Sequence, residues 1–168
     1  AKQLSQTAIK CFEALYRGRS NCRMILSTGK RFYNEMRLVA DQMPLSGNAL
    51  TLAPYIDNMA SVLSAADLVI SRGAATITEL SAVAVPSIIV PYPAATGDHQ
   101  TKNARALESL GACLVIPESE LTAERLESEI SNLVKNPERL RHMRNATRIL
   151  RPKMSEENII KLLDSLLT

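Results

Sequence analysis

The residues most open to a chemical reading form one short run, Ser71-Arg72-Gly73-Ala74-Ala75-Thr76-Ile77-Thr78-Glu79. Gly73, Ala74, Ala75 and Thr76 are small and stand between an apolar run and a helix-forming one. Small side chains there let a phosphate approach the backbone, and the free N–H groups that open a helix would face it. The same residues also permit tight strand–helix packing, which is the simpler account of the stretch taken alone. Glu79 follows Thr76 by one helical turn, on about the same face. A carboxylate so placed can accept both hydroxyls of a ribose. On spacing alone, a solvated first-turn acid favoured by the helix dipole is the simpler account.

Two further clusters invite the same double reading. In Pro91-Tyr92-Pro93 followed by Gly97-Asp98-His99-Gln100-Thr101-Lys102-Asn103, His99 and Gln100 are able to hydrogen-bond sugar hydroxyls. Alternatively Asp98 is a helix N-cap and His99 a surface residue. In Tyr55-Ile56-Asp57-Asn58-Met59, backbone groups of Tyr55 and Ile56 can pair with a base edge while the ring packs over it. An apolar residue ahead of a helix cap is also a routine staple.

These clusters need elements to position them. Leu4, Ala8, Cys11, Phe12 and Leu15 recur at helical spacing, with Gly18 as the stop. The pattern then predicts strands over 23–27, 50–53, 67–71, 86–91 and 112–116. Helices fall between them over 30–42, from Asp57, over 75–83, and from Asp98 to about Leu110. The remainder, from Thr122 to Leu167, reads as helical, broken near Asn136-Pro137 and Pro152. Short apolar strands alternating with helices indicate a Rossmann-like, doubly wound parallel sheet covered on both faces. Ligands bind such α/β folds at the carboxyl ends of strands, so the loops after Ala53, Ile70 and Val90 are where a site belongs. Residues 1–168 suit one domain, with C-terminal helices over 137–168.

Composition excludes several classes. A content of 46% hydrophobic and 22% charged residues is ordinary for a globular chain, not a disordered one. Apolar runs such as Ser87-Ile88-Ile89-Val90 are too short to span a bilayer, and no signal peptide opens the sequence. A formal charge of +3 does not by itself imply nucleic acid. Cys11, Cys22 and Cys113 form neither a zinc spacing nor a disulfide framework, and read as small buried hydrophobes in a reducing cytoplasm. No G-x-G-x-x-G occurs, and the chain opens on a helix where a Rossmann-like domain opens on a strand and a glycine-rich turn.

Taken together the three clusters resemble the MurG family, bacterial enzymes that add N-acetylglucosamine to undecaprenyl-pyrophosphoryl-muramoyl-pentapeptide. The matching segments are Pro54–Met59, Ile70–Leu80 and Ile89–Ala104, and similarity extends to Leu121-Thr122-Ala123-Glu124. The resemblance implies the C-terminal, donor-binding half of a GT-B glycosyltransferase, with a site for UDP-N-acetylglucosamine. It implies that Tyr55 and Ile56 hold uracil, that Arg72 supports the loop around the nucleotide, and that Glu79 holds the ribose. Backbone N–H groups around Gly73, at Ala74, Ala75 and Thr76, would face the pyrophosphate and sugar, while His99 and Gln100 take hydroxyls of the N-acetylglucosamine. Transfer would be inverting, with helix-start N–H groups meeting the charge on the departing pyrophosphate. No metal-binding Asp-x-Asp motif is present and no cofactor is implied. The catalytic base and the lipid-linked acceptor site would belong to an N-terminal domain that this chain lacks. The expected location is cytoplasmic, peripheral to the inner face of the membrane.

The sequence departs from the family pattern in three places. Arg72 and Gly73 are adjacent where one residue usually intervenes, and Leu26 stands where a histidine usually precedes the Ser27-Thr28-Gly29-Lys30 turn. Ala1-Lys2 resembles the tail of the family's Gly-Gly-Ser-x-Gly-Ala turn, so the first strand is expected to be missing. In the common doubly wound order it would lie centrally, between strands 23–27 and 67–71. Two rival readings stand beside this one. The first is a donor-binding subunit working with a separate membrane-bound partner. The second is a basic module for nucleic acid or anionic lipid, built on Arg141, Arg144, Arg148 and Arg151 with Arg139 and Lys153.

Overall fold

The computed structural model describes residues 2–18, 21–45, 47–73, 75–92 and 99–150, the side chains of 75–78 excepted. The chain divides into two compact units, Ala1–Asn58 with Ser119–Lys135, and Met59–Glu118 with the chain from Asn136 onward.

In the first unit, helix α1 (Lys2–Gly18) buries Ser5, Ala8, Ile9, Cys11 and Phe12, one stripe at spacings of three and four. That stripe packs on α6 (Ala123–Lys135), which buries Leu126 and Leu133. Strand β1 (Met24–Ser27) pairs in parallel with β2 (Leu50–Ala53), Met24 opposite Leu50 and Ser27 opposite Ala53. Helix α2 (Tyr33–Ala40) crosses between them, packs on β2 and buries Met36. Exposure alternates along β1, and Ile25 is 53% exposed. This two-stranded sheet is covered on one side only.

The second unit holds β3 (Val69–Ser71), β4 (Ser87–Ile89) and β5 (Cys113–Val115), all parallel and in that order. Every residue of β4 and β5 is buried, as parallel strands sandwiched between helices should be. Leu63 of α3 (Met59–Ala65), Leu80 of α4 (Ala75–Val83) and Ala104 of α5 (His99–Ser109) close on Ile89 and Val115 to form the core. Helix α7 (Pro137–Leu150) packs on α4 and buries Met143, Thr147 and Leu150. The Thr147 hydroxyl lies 3.0 Å from the Ala112 carbonyl and 2.8 Å from that of Met143, anchoring α7 beside the start of β5.

Helix ends follow local chemistry. Asn136 Oδ1 accepts from the Arg139 N–H at 3.1 Å and Pro137 opens α7, a cap and first residue suited to that role. The break expected at Asn136-Pro137 therefore falls where a new helix starts. Helices α4 and α5 end alike. Ala84 N–H donates to Ser81 O and Val85 N–H to Leu80 O, as Gly111 N–H donates to Glu108 O and Ala112 N–H to Leu107 O. Such paired closures need a left-handed residue. Gly111 supplies it at φ +72°, and Ala84 takes it at φ 53° despite its Cβ.

The alternation of strands and helices is the parallel, doubly wound α/β arrangement that the sequence predicts, with elements trimmed at their ends. Helix α2 is shorter than 30–42, because the chain around Gly29, at φ +74°, is still turning. Asp57 does not sit at the cap of α3: the helix opens at Met59, which puts Asn58 there instead. Asp98 and the stretch around Pro152, with Arg151 and Lys153, lie outside the described residues. Among the described residues β1 pairs with β2 alone and β3 with β4 alone.

Candidate functional site

Parallel register sets the site. Ser71 stands beside Ile89, and Ile89 beside Val115, so three chains leave the sheet at one edge. The ladder continues past the strands, with Val90 N–H donating to Ser71 O at 2.8 Å and Ile116 N–H to Ile89 O at 3.0 Å. Arg72 follows Ser71 directly, while Tyr92 and Glu118 stand three residues past Ile89 and Val115.

These three residues interlock. Arg72 Nη2 lies 2.5 Å from Glu118 Oε1, with side chains only 20% and 16% exposed. That burial separates this pair from the solvent-screened ion pairs of a protein surface. The Arg72 guanidinium also lies over the Tyr92 ring, 5.7 Å from its centroid. Tyr92 N–H in turn donates to Gln100 Oε1 at 3.1 Å, which ties the exit of β4 to the first turn of α5. With Oε1 so engaged, the amide N–H groups are what Gln100 has left to donate. Arg72 Nε and Nη1 and Ser71 Oγ are buried with no hydrogen-bond partner among the described residues. Unmet buried N–H groups cost about 1–3 kcal/mol each, so an oxygen acceptor from a ligand would be stabilised there.

Gly73 makes the turn between Arg72 and α4. Its φ is +100°, and a Cβ built on it would lie 3.3 Å from Ile89 Cγ2. A side chain there is opposed both by backbone conformation and by the neighbouring strand. The adjacency of Arg72 and Gly73 thus resolves into a sharp, glycine-dependent corner. Helix α4 opens at Ala75, so the N–H groups of Ala75 and Thr76 are among those without an intrahelical partner. Ala74 lies outside the described residues, as do the side chains of Ala75 and Thr76. Glu79 is exposed one turn further on, without an ion-pair partner among the described residues.

His99 is exposed at the first residue of α5, and Gln100 half-buried beside it. Tyr55 and Ile56 belong to the other unit, on the loop leaving β2, where Tyr55 is 66% exposed and Ile56 half-buried. The second unit therefore brings together Arg72, Gly73, the start of α4 and Gln100. Sequence reasoning misses Glu118, which lies after the fifth strand and not after Ala53, Ile70 or Val90. The strand-end rule, applied to 112–116 as well, would have reached it. Two concavities lie elsewhere, one apolar and lined by Leu80, Ile89, Leu107 and Leu150, the other between α2 and β2 with Tyr33, Arg37 and Asp41 on its wall. Neither contains Arg72 or Glu79.

The basic helix face is real but partly spent. Arg139, Arg141, Arg144 and Arg148 are all exposed on α7, and Arg141 is held by Glu138 at 2.6 Å. No Phe, Tyr or Trp interleaves them.

Residues 1–163 match the Glycosyltransferase family 28 C-terminal domain. The chain is 38% identical over 171 residues to a UDP-N-acetylglucosamine--N-acetylmuramyl-(pentapeptide) pyrophosphoryl-undecaprenol N-acetylglucosamine transferase of Desulforudis audaxviator, covering 99% of this chain and 45% of that protein. The transferase of the same name from Alkalilimnicola ehrlichii is 45% identical over 121 residues, 71% of this chain and 33% of its own length. Among solved structures, MurG of Acinetobacter baumannii superposes with a TM-score of 0.74 at 29% identity, over 88% of this chain and 42% of that one. A calicheamicin glycosyltransferase shares the fold at a TM-score of 0.66 and 16% identity, covering 96% of this chain and 38% of its own. The chain thus spans less than half the length of these relatives. It belongs to the glycosyltransferase family 28 C-terminal domain family and, within it, resembles MurG.

Proposed function

We propose that this chain is the donor-binding half of a transferase that moves N-acetylglucosamine from UDP to a lipid-linked muramoyl-pentapeptide in peptidoglycan synthesis. The observation that carries the reading is the joined edge of β3, β4 and β5. There a glycine corner, the opening of α4 and the Arg72–Tyr92–Gln100 set converge. Family membership and the names of the relatives support the same substrate class.

In this reading Tyr55 and Ile56 take the uracil and Glu79 accepts the ribose hydroxyls. The corner at Gly73 and the N–H groups of Ala74, Ala75 and Thr76 face the pyrophosphate. As the acceptor hydroxyl attacks the anomeric carbon, negative charge grows on the departing UDP. Fixed N–H dipoles at a helix start meet that charge without reorganising. His99 and Gln100 hold the sugar, Gln100 through its amide N–H groups, since its carbonyl oxygen already accepts from Tyr92. The base that takes the acceptor's proton, and the acceptor site itself, fall in the part of the relatives that this chain does not span.

No helix among the described residues is long and apolar enough to cross a membrane. We place the chain at the cytoplasmic surface of the membrane, where it would meet a lipid-linked acceptor. Calorimetric titration tests the donor assignment. UDP-N-acetylglucosamine should bind more tightly than UDP-glucose or TDP-sugars, and Glu79→Ala should weaken it by roughly ten- to a hundredfold. That is the loss expected for hydrogen bonds to a charged group. Equal, weak binding of all three sugars would sink it.

A further inference from the structure

Glu118 is placed by the fold rather than by any motif. It follows β5 at the start of the short turn Glu118–Glu120, and its carboxylate reaches across the strand ends to Arg72. The contact is made at one corner of the guanidinium, Nη2, and not along an edge. A planar guanidinium has five N–H groups in a fixed fork, so holding one corner leaves the others oriented and unspent. Nε and Nη1 are buried and meet no acceptor among the described residues. The Tyr92 ring limits the plane's freedom from a second direction, and Tyr92 also fixes Gln100 through its backbone N–H.

We propose that Glu118 is a positioning residue of the donor site. It holds Arg72 by one corner, so that the remaining N–H groups meet an oxygen of the bound nucleotide-sugar. The proposal rests on the donor-site reading given above. Without Glu118 the guanidinium loses its anchor and its compensating charge together, and the side chain is free to leave for water. The carboxylate itself need never touch the ligand.

The test is a double-variant cycle on the full chain, with Kd for UDP-N-acetylglucosamine from calorimetry and Tm from thermal melts. Glu118→Gln keeps the shape of the side chain and removes its charge. It should raise Kd about tenfold, equivalent to about 1.4 kcal/mol. Arg72→Ala should raise Kd at least as far, and the pair Arg72→Ala with Glu118→Gln should bind no more weakly than Arg72→Ala alone. A purely structural brace would lower Tm and leave Kd in place. Wild-type protein that binds the donor while Glu118→Gln binds within twofold of it overturns the proposal and spares the donor reading. So does a Glu118→Gln penalty of the same size in the Arg72→Ala background. Wild-type protein that binds no donor overturns both. If Glu118→Gln does not fold, Glu118→Asp replaces it, one methylene too short to reach Nη2. Its Kd should rise severalfold, and an unchanged Kd overturns the proposal.

Discussion

The two sheets of this chain use the same parallel pairing under opposite conditions. Strands β4 and β5 are buried along their whole length, with Ile88 and Ile89 fully enclosed on opposite faces. Strand β1 alternates, and Ile25 leaves more than half its surface in water. A parallel sheet is normally stable only when helices cover both faces, and a two-stranded sheet is marginal alone. The three-stranded sheet is therefore the rigid platform, and the residues that depend on fixed geometry leave from its edge. The Tyr55–Ile56 loop leaves the thinner one.

Deleting the side chain of Ile89 attacks the platform directly. Ile89→Ala should cost about 2–5 kcal/mol, read as a shifted urea midpoint, whereas Ile25→Ala should cost below about 1 kcal/mol. Comparable losses at the two positions would erase the distinction. Gly73→Ala comes next. At φ +100° and 3.3 Å from Ile89 Cγ2 it should cost about 1–3 kcal/mol and weaken donor binding, since the corner must open to admit the methyl group. A variant as stable as wild type would show that the corner is soft.

A smaller effect compares one thiol in each unit. Burial, with Glu127 adding to it, pushes Cys11 up to about 12. Burial pushes Cys113 to about 12 as well, with Glu108 adding and Arg105 opposing. Below pH 9 both states keep these protons, so the thiols leave stability unchanged. Between pH 9 and about 12 the unfolded chain loses protons that the folded chain retains, and stability falls. The slope is at most about 1.4 kcal/mol per pH unit for each thiol. Urea midpoints at pH 8 and 10 for wild type and for Cys11→Ala with Cys113→Ala check this. Wild type should lose more stability over that interval, and parallel losses would contradict it.

Much of the fold is legible from residue spacing, because the short apolar runs and helical stripes are local patterns. Strand 50–53 and helix 75–83 match Leu50–Ala53 and Ala75–Val83. Asn136-Pro137 marks the join of α6 and α7, because an Asn cap and a Pro first residue act within one turn. The misplaced cap at Asp57 shows the limit of the same reasoning, since Asn58 is as good a cap and spacing does not choose between them.

The site divides in the same way. Gly73 stands out in the sequence as a small residue between strand and helix, and that position suffices to suggest a turn. Nothing in the sequence joins Arg72 to Glu118, or Tyr92 to Gln100. Their contacts arise because parallel register sets Ser71, Ile89 and Val115 abreast and delivers three separate loops to one edge. Sequence alone determined the elements, the glycine corner and the family resemblance, all of which depend on neighbours along the chain. Tertiary structure alone decided which charges meet and which N–H groups stay unspent, because those depend on register between strands far apart in sequence.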